Sequence, residues 1–259
     1  MINKTKQLLK LAIFFLILIT GCHKTTSPQS SQDLTFGVSA EYPPFEFQQK
    51  GVLKGFDVEL AQRIAKELGV GARFENMQFS TILPALDSAH VDVAISTIAI
   101  TEERLKNFDF SDSYYTESLA IVFPAVQPIK QASHLAIEKN HKKKIACQLG
   151  TTMEIWLRKN APDVDILSLD NNNLAIEALK AGHVDGVFMD SVQASVFSQK
   201  NMGLSYAVIA SSDNGYGMAL KKGSPLKSKI NAALKTLEKS GELEQLQKKW
   251  LQGDISWAM

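Results

Sequence analysis

Cysteine is almost absent from this chain. Its 259 residues hold two, Cys22 and Cys147. At most one disulfide could form, and no cysteine spacing suits a metal, so neither a disulfide scaffold nor a zinc module is indicated. Histidine is scarce as well. His23 lies in a polar leader segment, and His134 and His141 precede the run Lys142-Lys143-Lys144. His90 and His183 occupy small-residue turns. No Ser–His–Asp set and no paired-carboxylate set stands out, so an enzyme is not expected, and neither a cofactor nor a metal is. An excess of either charge is missing too: the formal net charge is +1 and the pI about 7.7. A nucleic-acid binder carries a marked basic excess, which is not found here. The lysine run reads as a solvated face. Long apolar runs are limited to Leu11–Ile19, well short of the roughly 20 residues of a spanning helix. What is present is ordinary: 45% hydrophobic residues support a real core, and the length fits one or two domains.

The N-terminus reads as an address. Lys4, Lys6 and Lys10 precede the apolar run, which ends in Ile19-Thr20-Gly21-Cys22. That order resembles the bacterial lipobox, in which the chain is cut before the cysteine and the thiol is acylated. Residues 1–21 are thus expected to be a lipoprotein signal peptide and Cys22 a lipid attachment site; the alternative is a plain signal peptide. Residues 22–33, rich in Ser, Thr, Gln and Pro, read as a flexible tether. Without the first 21 residues the formal charge is −2, from 25 basic and 27 acidic side chains. With Cys22 acylated, Cys147 in Ile145-Ala-Cys-Gln has no disulfide partner and reads as a small buried hydrophobe.

A fourteen-residue stretch is written twice. Ile82-Leu-Pro-Ala-Leu-Asp-Ser-Ala-His-Val-Asp-Val-Ala-Ile95 matches Ala175-Ile-Glu-Ala-Leu-Lys-Ala-Gly-His-Val-Asp-Gly-Val-Phe188 in Ala, Leu, His, Val and Asp at equal offsets. Each copy reads as a helix end, a small turn and a short strand. Ser96 and Thr97 follow the first strand, and Asp190 follows the second. Two similar α/β halves with polar groups at strand carboxyl ends suggest a cleft between two lobes, because ligands of open α/β sheets sit at those ends.

Elsewhere, helical spacing covers Phe56–Leu68 with Gly69 as a stop, and Ser80 is placed to cap a helix over 81–88. Strands are expected at 34–38, 70–74, 91–95, 119–123, 145–148, 166–169, 186–189 and 216–220, and a helix opens at Gly150-Thr151-Thr152. The tail from Lys227 to Leu251 reads as two amphipathic helices divided at Ser240-Gly241. Passages between lobes are expected near 120–127 and 210–217, with the tail returning to the first lobe.

The densest chemistry is Ser96-Thr-Ile-Ala-Ile-Thr-Glu-Glu-Arg104. Hydroxyls and backbone N–H groups at a strand-to-helix junction suit an anion, and Arg104 adds a planar fork for a carboxylate. Asp190 brings a negative charge from the other half, and Thr151 and Thr152 bring hydroxyls at a helix start. Together they describe a receptor for a zwitterion, most simply a free α-amino acid. Each has an ordinary alternative: Arg104 a surface charge or a partner of Glu102 or Asp109, and Asp190 a helix N-cap.

The chain from Leu34 to Leu251 resembles the bacterial extracellular solute-binding proteins of family 3, the amino acid receptors of ABC importers. The residues that carry the resemblance include Gly37-Val-Ser-Ala-Glu-Tyr-Pro-Pro-Phe-Glu46, Gly55-Phe-Asp-Val-Glu-Leu60, Ile100-Thr-Glu-Glu-Arg104, Gly150-Thr-Thr and Val184-Asp-Gly-Val-Phe-Met-Asp190. The resemblance implies an α/β two-lobe periplasmic-binding-protein fold of type II, each lobe a mixed sheet flanked by helices, with two hinge crossovers. Lobe 1 is expected over 34–121 and 215–259, and lobe 2 over 122–214. It implies that Arg104 clamps the ligand carboxylate with Thr152 and Thr151, that Asp190 takes the α-ammonium, that Ser96, Thr97 and Ala99 line the first-lobe side, and that Tyr42 and Phe79 sandwich the side chain. Ser39 stands where many lysine- and histidine-preferring relatives carry Asp, and Ala99 replaces a frequent hydroxyl residue. The segment around Glu41 is similar to the arginine-binding branch. There Glu41 is placed to meet a guanidinium; as a surface charge it would do nothing of the kind. The expected protein is a monomeric, lipid-anchored receptor outside the cytoplasmic membrane that passes arginine to an ABC permease. Glutamine or another polar amino acid, a cyclic-acid dehydratase on the same scaffold, and a surface adhesin are the alternatives.

Overall fold

A computed structural model describes residues 33–125 and 142–252. Two five-stranded mixed sheets organise them. In chain order the strands are β1 (Leu34–Val38), β2 (Glu41–Tyr42), β3 (Glu46–Gln49), β4 (Val52–Lys54), β5 (Ala72–Asn76), β6 (Val93–Ala94), β7 (Phe108–Phe110), β8 (Tyr115–Pro124), β9 (Lys144–Gln148), β10 (Asp165–Leu169), β11 (Gly186–Asp190), β12 (Leu204–Tyr216) and β13 (Ala219–Lys221). The helices are α1 (Phe56–Glu67), α2 (Phe79–Asp87), α3 (Glu102–Asn107), α4 (Thr152–Asn160), α5 (Asn172–Lys180), α6 (Ser191–Lys200), α7 (Leu226–Ser240) and α8 (Glu242–Leu251).

The sheets run β5-β1-β6-β13-β7 and β10-β9-β11-β8-β12. In each, the first three strands are parallel and the next two join antiparallel. The chain exchanges strands between them. β8 enters the second sheet directly after β7, and β13 returns to the first directly after β12. The crossings therefore lie at Ser111–Tyr114, ahead of the expected passage near 120–127, and at Gly217–Met218, at the very end of the expected passage near 210–217. The reason is that β8 and β12 pair almost end to end, from Tyr115↔Tyr216 to Leu204↔Pro124, with irregularities only between Val208 and Ala210 and between Ser211 and Gly215. The small-residue run that reads as a linker is absorbed into that ladder.

The repeat has a structural counterpart. Asp92 donates its N–H to the Thr35 carbonyl (2.9 Å), and its Oδ2 accepts from Thr35 N–H (2.9 Å). Asp185 makes the same pair with Lys144: its N–H donates to the Lys144 carbonyl and its Oδ2 accepts from Lys144 N–H, both at 2.7 Å. Thus the aspartate of each His-Val-Asp stitches the turn before one parallel strand to the start of its neighbour. His90 and His183 each donate a backbone N–H to the residue five back, closing the preceding helix. These satisfied backbone groups are the physical content of the repeated letters.

Helices cover both faces of each sheet. Leu60 and Ile64 of α1 with Ile230, Leu234, Leu237, Leu243 and Trp250 of α7 and α8 pack on one face of the first sheet, and Ile82 and Leu86 of α2 on the other. The tail thus packs on the first sheet. Met153 and Leu157 of α4 cover one face of the second sheet, and Ile176, Leu179 and Phe197 of α5 and α6 the other. Each such fully buried side chain contributes about 1.5–3 kcal/mol. Two bounds differ from the sequence pattern. β5 starts at Ala72 because Gly69 N–H bonds to Lys66 O and Val70 N–H to Ala65 O (both 3.0 Å), which spends Val70 on the helix cap. α2 starts at Phe79 with Gln78 as its cap residue, so Ser80 falls inside the first turn.

Candidate functional site

The strand ends converge on one small cavity. It is lined by Tyr42, Phe79, Thr97, Arg104, Gln148, Thr151, Thr152, Met153 and Asp190. Each residue arrives from the carboxyl end of a strand or the helix start that follows. Tyr42 ends β2, Thr97 follows β6, Gln148 ends β9 and Asp190 ends β11. Residues of both sheets therefore face each other, as the strand-end rule for open α/β sheets anticipates.

Arg104 is set by its short helix. Thr101 caps α3, its hydroxyl accepting from Arg104 N–H at 3.2 Å. Glu102 and Glu103 fall in the first turn, where negative charge is favoured. The guanidinium donates through Nη1 to the Ala99 carbonyl (2.8 Å) and through Nη2 to the Gly150 carbonyl (3.2 Å), and it lies 5.9 Å from the Phe79 ring centroid. Two of its five N–H groups are thus occupied, leaving donors for a planar acceptor. Burial lowers its pKa to about 10, so it stays cationic at neutral pH.

Asp190 occupies the N-cap position of α6 but makes no side-chain cap bond there. It is buried, and its Oδ2 accepts a hydrogen bond from the Tyr42 hydroxyl. Burial, with the Asp190 charge alongside, raises the Tyr42 pKa well above the usual phenol value, so Tyr42 remains a donor. Thr151 caps α4 and is satisfied, accepting from Glu154 N–H (3.4 Å) and donating to the Gln148 carbonyl (2.7 Å). Thr152 Oγ1 donates to Met153 Sδ (3.5 Å), a weak thioether acceptor, so its hydroxyl is the more available of the two.

Four expected site residues lie elsewhere. Ser39 and Ser96 sit behind the cavity wall, with Ser39 N–H donating to Ser96 Oγ (3.2 Å). Ala99 acts through its carbonyl on Arg104. Glu41 is exposed and borders a separate cavity of about 370 Å³ with Asn76, Asn173 and Lys200. Conversely, Gln148 and Met153 line the cavity though no motif marks them. Gln148 could have been found from its place at a strand end; Met153 carries no such signal.

Among the described residues, hydrogen bonds that bridge the two sheets' residues in or beside the cavity include Tyr42 to Asp190, Arg104 to Gly150, and Gln78 Nε2 to Asp170 Oδ2 (3.3 Å). The water-accessible space between them is about 10 Å³, about one water. A ligand of amino acid size enters only when the two bodies separate, and the paired crossings are the places that can bend.

Residues 34–253 match the bacterial extracellular solute-binding proteins, family 3, and the chain belongs to that family. Among its relatives, the arginine-binding extracellular protein ArtP of Bacillus subtilis (strain 168) is 33% identical over 93% of this chain and 95% of its own. The L-cystine-binding protein TcyJ of Escherichia coli (strain K12) is also 33% identical, over 86% of this chain and 84% of its own. Among solved structures, an ancestral arginine-binding protein bound to arginine is 39% identical, with a TM-score of 0.79 over 84% of this chain and 97% of that one. These relatives bind solutes, in keeping with the two-lobe α/β fold.

Proposed function

We propose that this protein is an extracytoplasmic receptor for arginine that closes two lobes on the free amino acid and delivers it to an ABC permease. The observation that carries this reading is that Arg104 and Asp190, opposite charges from opposite sheets, line one cavity. The spare donors of Arg104 take the α-carboxylate, with Thr97 and Thr152 beside it. Asp190 takes the α-ammonium, which displaces the Tyr42 hydroxyl. Tyr42 and Phe79 offer aromatic faces to a flat guanidinium. The arginine-binding relatives agree with the choice of ligand. Sheet membership supports a first lobe of residues 33–110 and 219–252 and a second of 115–216. The signal peptide, the tether and the lipid on Cys22 belong to the same proposal and, apart from Asp33 at the tether's end, lie outside the described residues; the protein works as a monomer. It acts by binding, not by turnover. A ligand closes the lobes only by binding the closed form better.

A second reading, a receptor for glutamine or another neutral polar amino acid, has one observation in its favour. Asp190 is the one carboxylate among the lining residues, and the ammonium uses it. The decisive experiment is calorimetry of the purified protein against all twenty amino acids. Tightest binding by arginine supports the first reading, and by glutamine the second. Binding of none of them, or turnover of the bound compound, overturns both. Glu41→Gln should weaken arginine alone if Glu41 reaches the side chain during closure; equal loss for every ligand removes it from that role.

A further inference from the structure

Two carboxyls behind the cavity have no part in the binding scheme. Glu46 opens β3 and Asp57 lies in the first turn of α1, and both are fully buried. One oxygen of each is engaged. Glu46 Oε1 accepts from Ser96 Oγ at 2.6 Å. Asp57 Oδ2 accepts from Thr97 N–H at 2.8 Å and from the Tyr114 hydroxyl at 2.9 Å. The other oxygens, Glu46 Oε2 and Asp57 Oδ1, are buried with no hydrogen-bond partner among the described residues, and the two carboxyls adjoin: Asp57 N–H donates to the carbonyl of Phe45, the residue before Glu46, at 2.9 Å, and the residues they hold, Ser96 and Thr97, are consecutive. Two carboxylates repel; two carboxyls with one proton between them form a strong O–H···O⁻ bond. The groups acting on the pair are Ser96, Thr97, Tyr114, Tyr42 and Asp190, none of them a cation. With no counter-charge, a proton is the economical way to neutralise half of it.

What the pair holds is a cavity wall. Thr97 lines the cavity and has φ 47°, a left-handed conformation unfavourable for a threonine. Such a conformation persists only where its surroundings over-determine it. Here they do: Asp57 takes the Thr97 N–H, and Glu46 takes the hydroxyl of the preceding Ser96. Two residues on, the Ala99 carbonyl holds Arg104.

We infer that Glu46 and Asp57 share one proton and act as a single-charged pair of positioning residues that fastens the Thr97 backbone in the shape that receives the amino acid. Burial raises both carboxyls, Asp57 to about 7 and Glu46 well above the carboxylate range, in accord with a proton retained through neutral pH. Raising the pH removes the proton, doubles the buried charge and loosens the wall. This rests on the amino acid reading of the cavity, so its test has one arm without ligand.

In the first arm, the affinity of the full chain for L-arginine is followed from pH 6 to 9 in wild type and Glu46→Gln. The glutamine amide donates permanently to Asp57. The ratio of the two dissociation constants cancels the titration of the ligand's own ammonium. It should change by up to about tenfold per pH unit above the pair's titration point, wild type weakening, because one proton is linked. A constant ratio overturns the proposal, as does loss of binding by a folded Glu46→Gln at every pH. In the second arm, urea midpoints are compared over the same range without ligand. An acid whose folded pKa is raised leaves the folded state holding more protons, so wild type should lose stability relative to Glu46→Gln as pH rises from about 4. A pH-independent difference overturns the proposal even if arginine is not the ligand. Should Glu46→Gln not fold, carbon-13 carboxyl shifts of the wild type decide: both carboxyls ionised at pH 6 would exclude the shared proton.

Discussion

Replacing Arg104 tests the binding scheme most directly. Its guanidinium spends one N–H on Ala99 O and one on Gly150 O. A bidentate carboxylate would take two more of the five. Charge-assisted hydrogen bonds contribute about 1.5–3 kcal/mol each, so Arg104→Ala should cost about 3–6 kcal/mol of binding free energy. At 1.4 kcal/mol per decade that is about 10²–10⁴-fold in Kd. Arg104→Lys keeps a point charge but not the fork, and should lose about 10–100-fold. The assay is titration calorimetry with L-arginine, beside circular dichroism to show that each variant is folded. A lowered pKa means that a cation loses its charge sooner on raising pH, and about 10 still lies well above neutral. Loss of affinity between pH 7 and 9 therefore belongs to another group. A folded Arg104→Ala that binds within about tenfold of wild type would refute the assignment, and so would Lys equal to Arg.

Thr101→Ala removes the cap of α3 and should cost about 1 kcal/mol, a fall in Tm of about 2–4 °C for a chain of this size, read by scanning calorimetry. Gly55 has φ 129°, and a Cβ there would stand 2.1 Å from the Phe45 carbonyl oxygen. Gly55→Ala should therefore destabilise by more than about 4 kcal/mol, whereas Gly51→Ala, with φ 77° and nothing within 4 Å, should cost about 1–2 kcal/mol. Equal urea midpoints for the two would contradict the steric argument. Cys147 is fully buried, and burial pushes its thiol up to about 12. Since the thiolate is the reactive form, Cys147 in a Cys22→Ser background should resist maleimide until urea unfolds the protein; rapid labelling of the folded form would show otherwise.

Much of this molecule was legible in its letters because the relevant forces are local. Apolar period marks α1, α7 and α8, Gly150-Thr151-Thr152 announces a helix start, and the doubled His-Val-Asp exposes two equivalent halves. Arg104 and Asp190 stood out because each charge follows a strand in a repeated unit. Other features depend on partners distant in sequence. Glu41 and Tyr42 are neighbours, yet alternation along a strand turns Tyr42 to the cavity and leaves Glu41 exposed. The crossings shifted because pairing of β8 with β12 outweighs the turn preference of Ser211–Gly217. Nothing in the local pattern around Glu46 and Asp57 marks either carboxyl as buried. Only the packing of β3 against α1 and the loop after β6 removes them from water, and burial of that kind is what sets the protonation of a carboxyl and what it can hold.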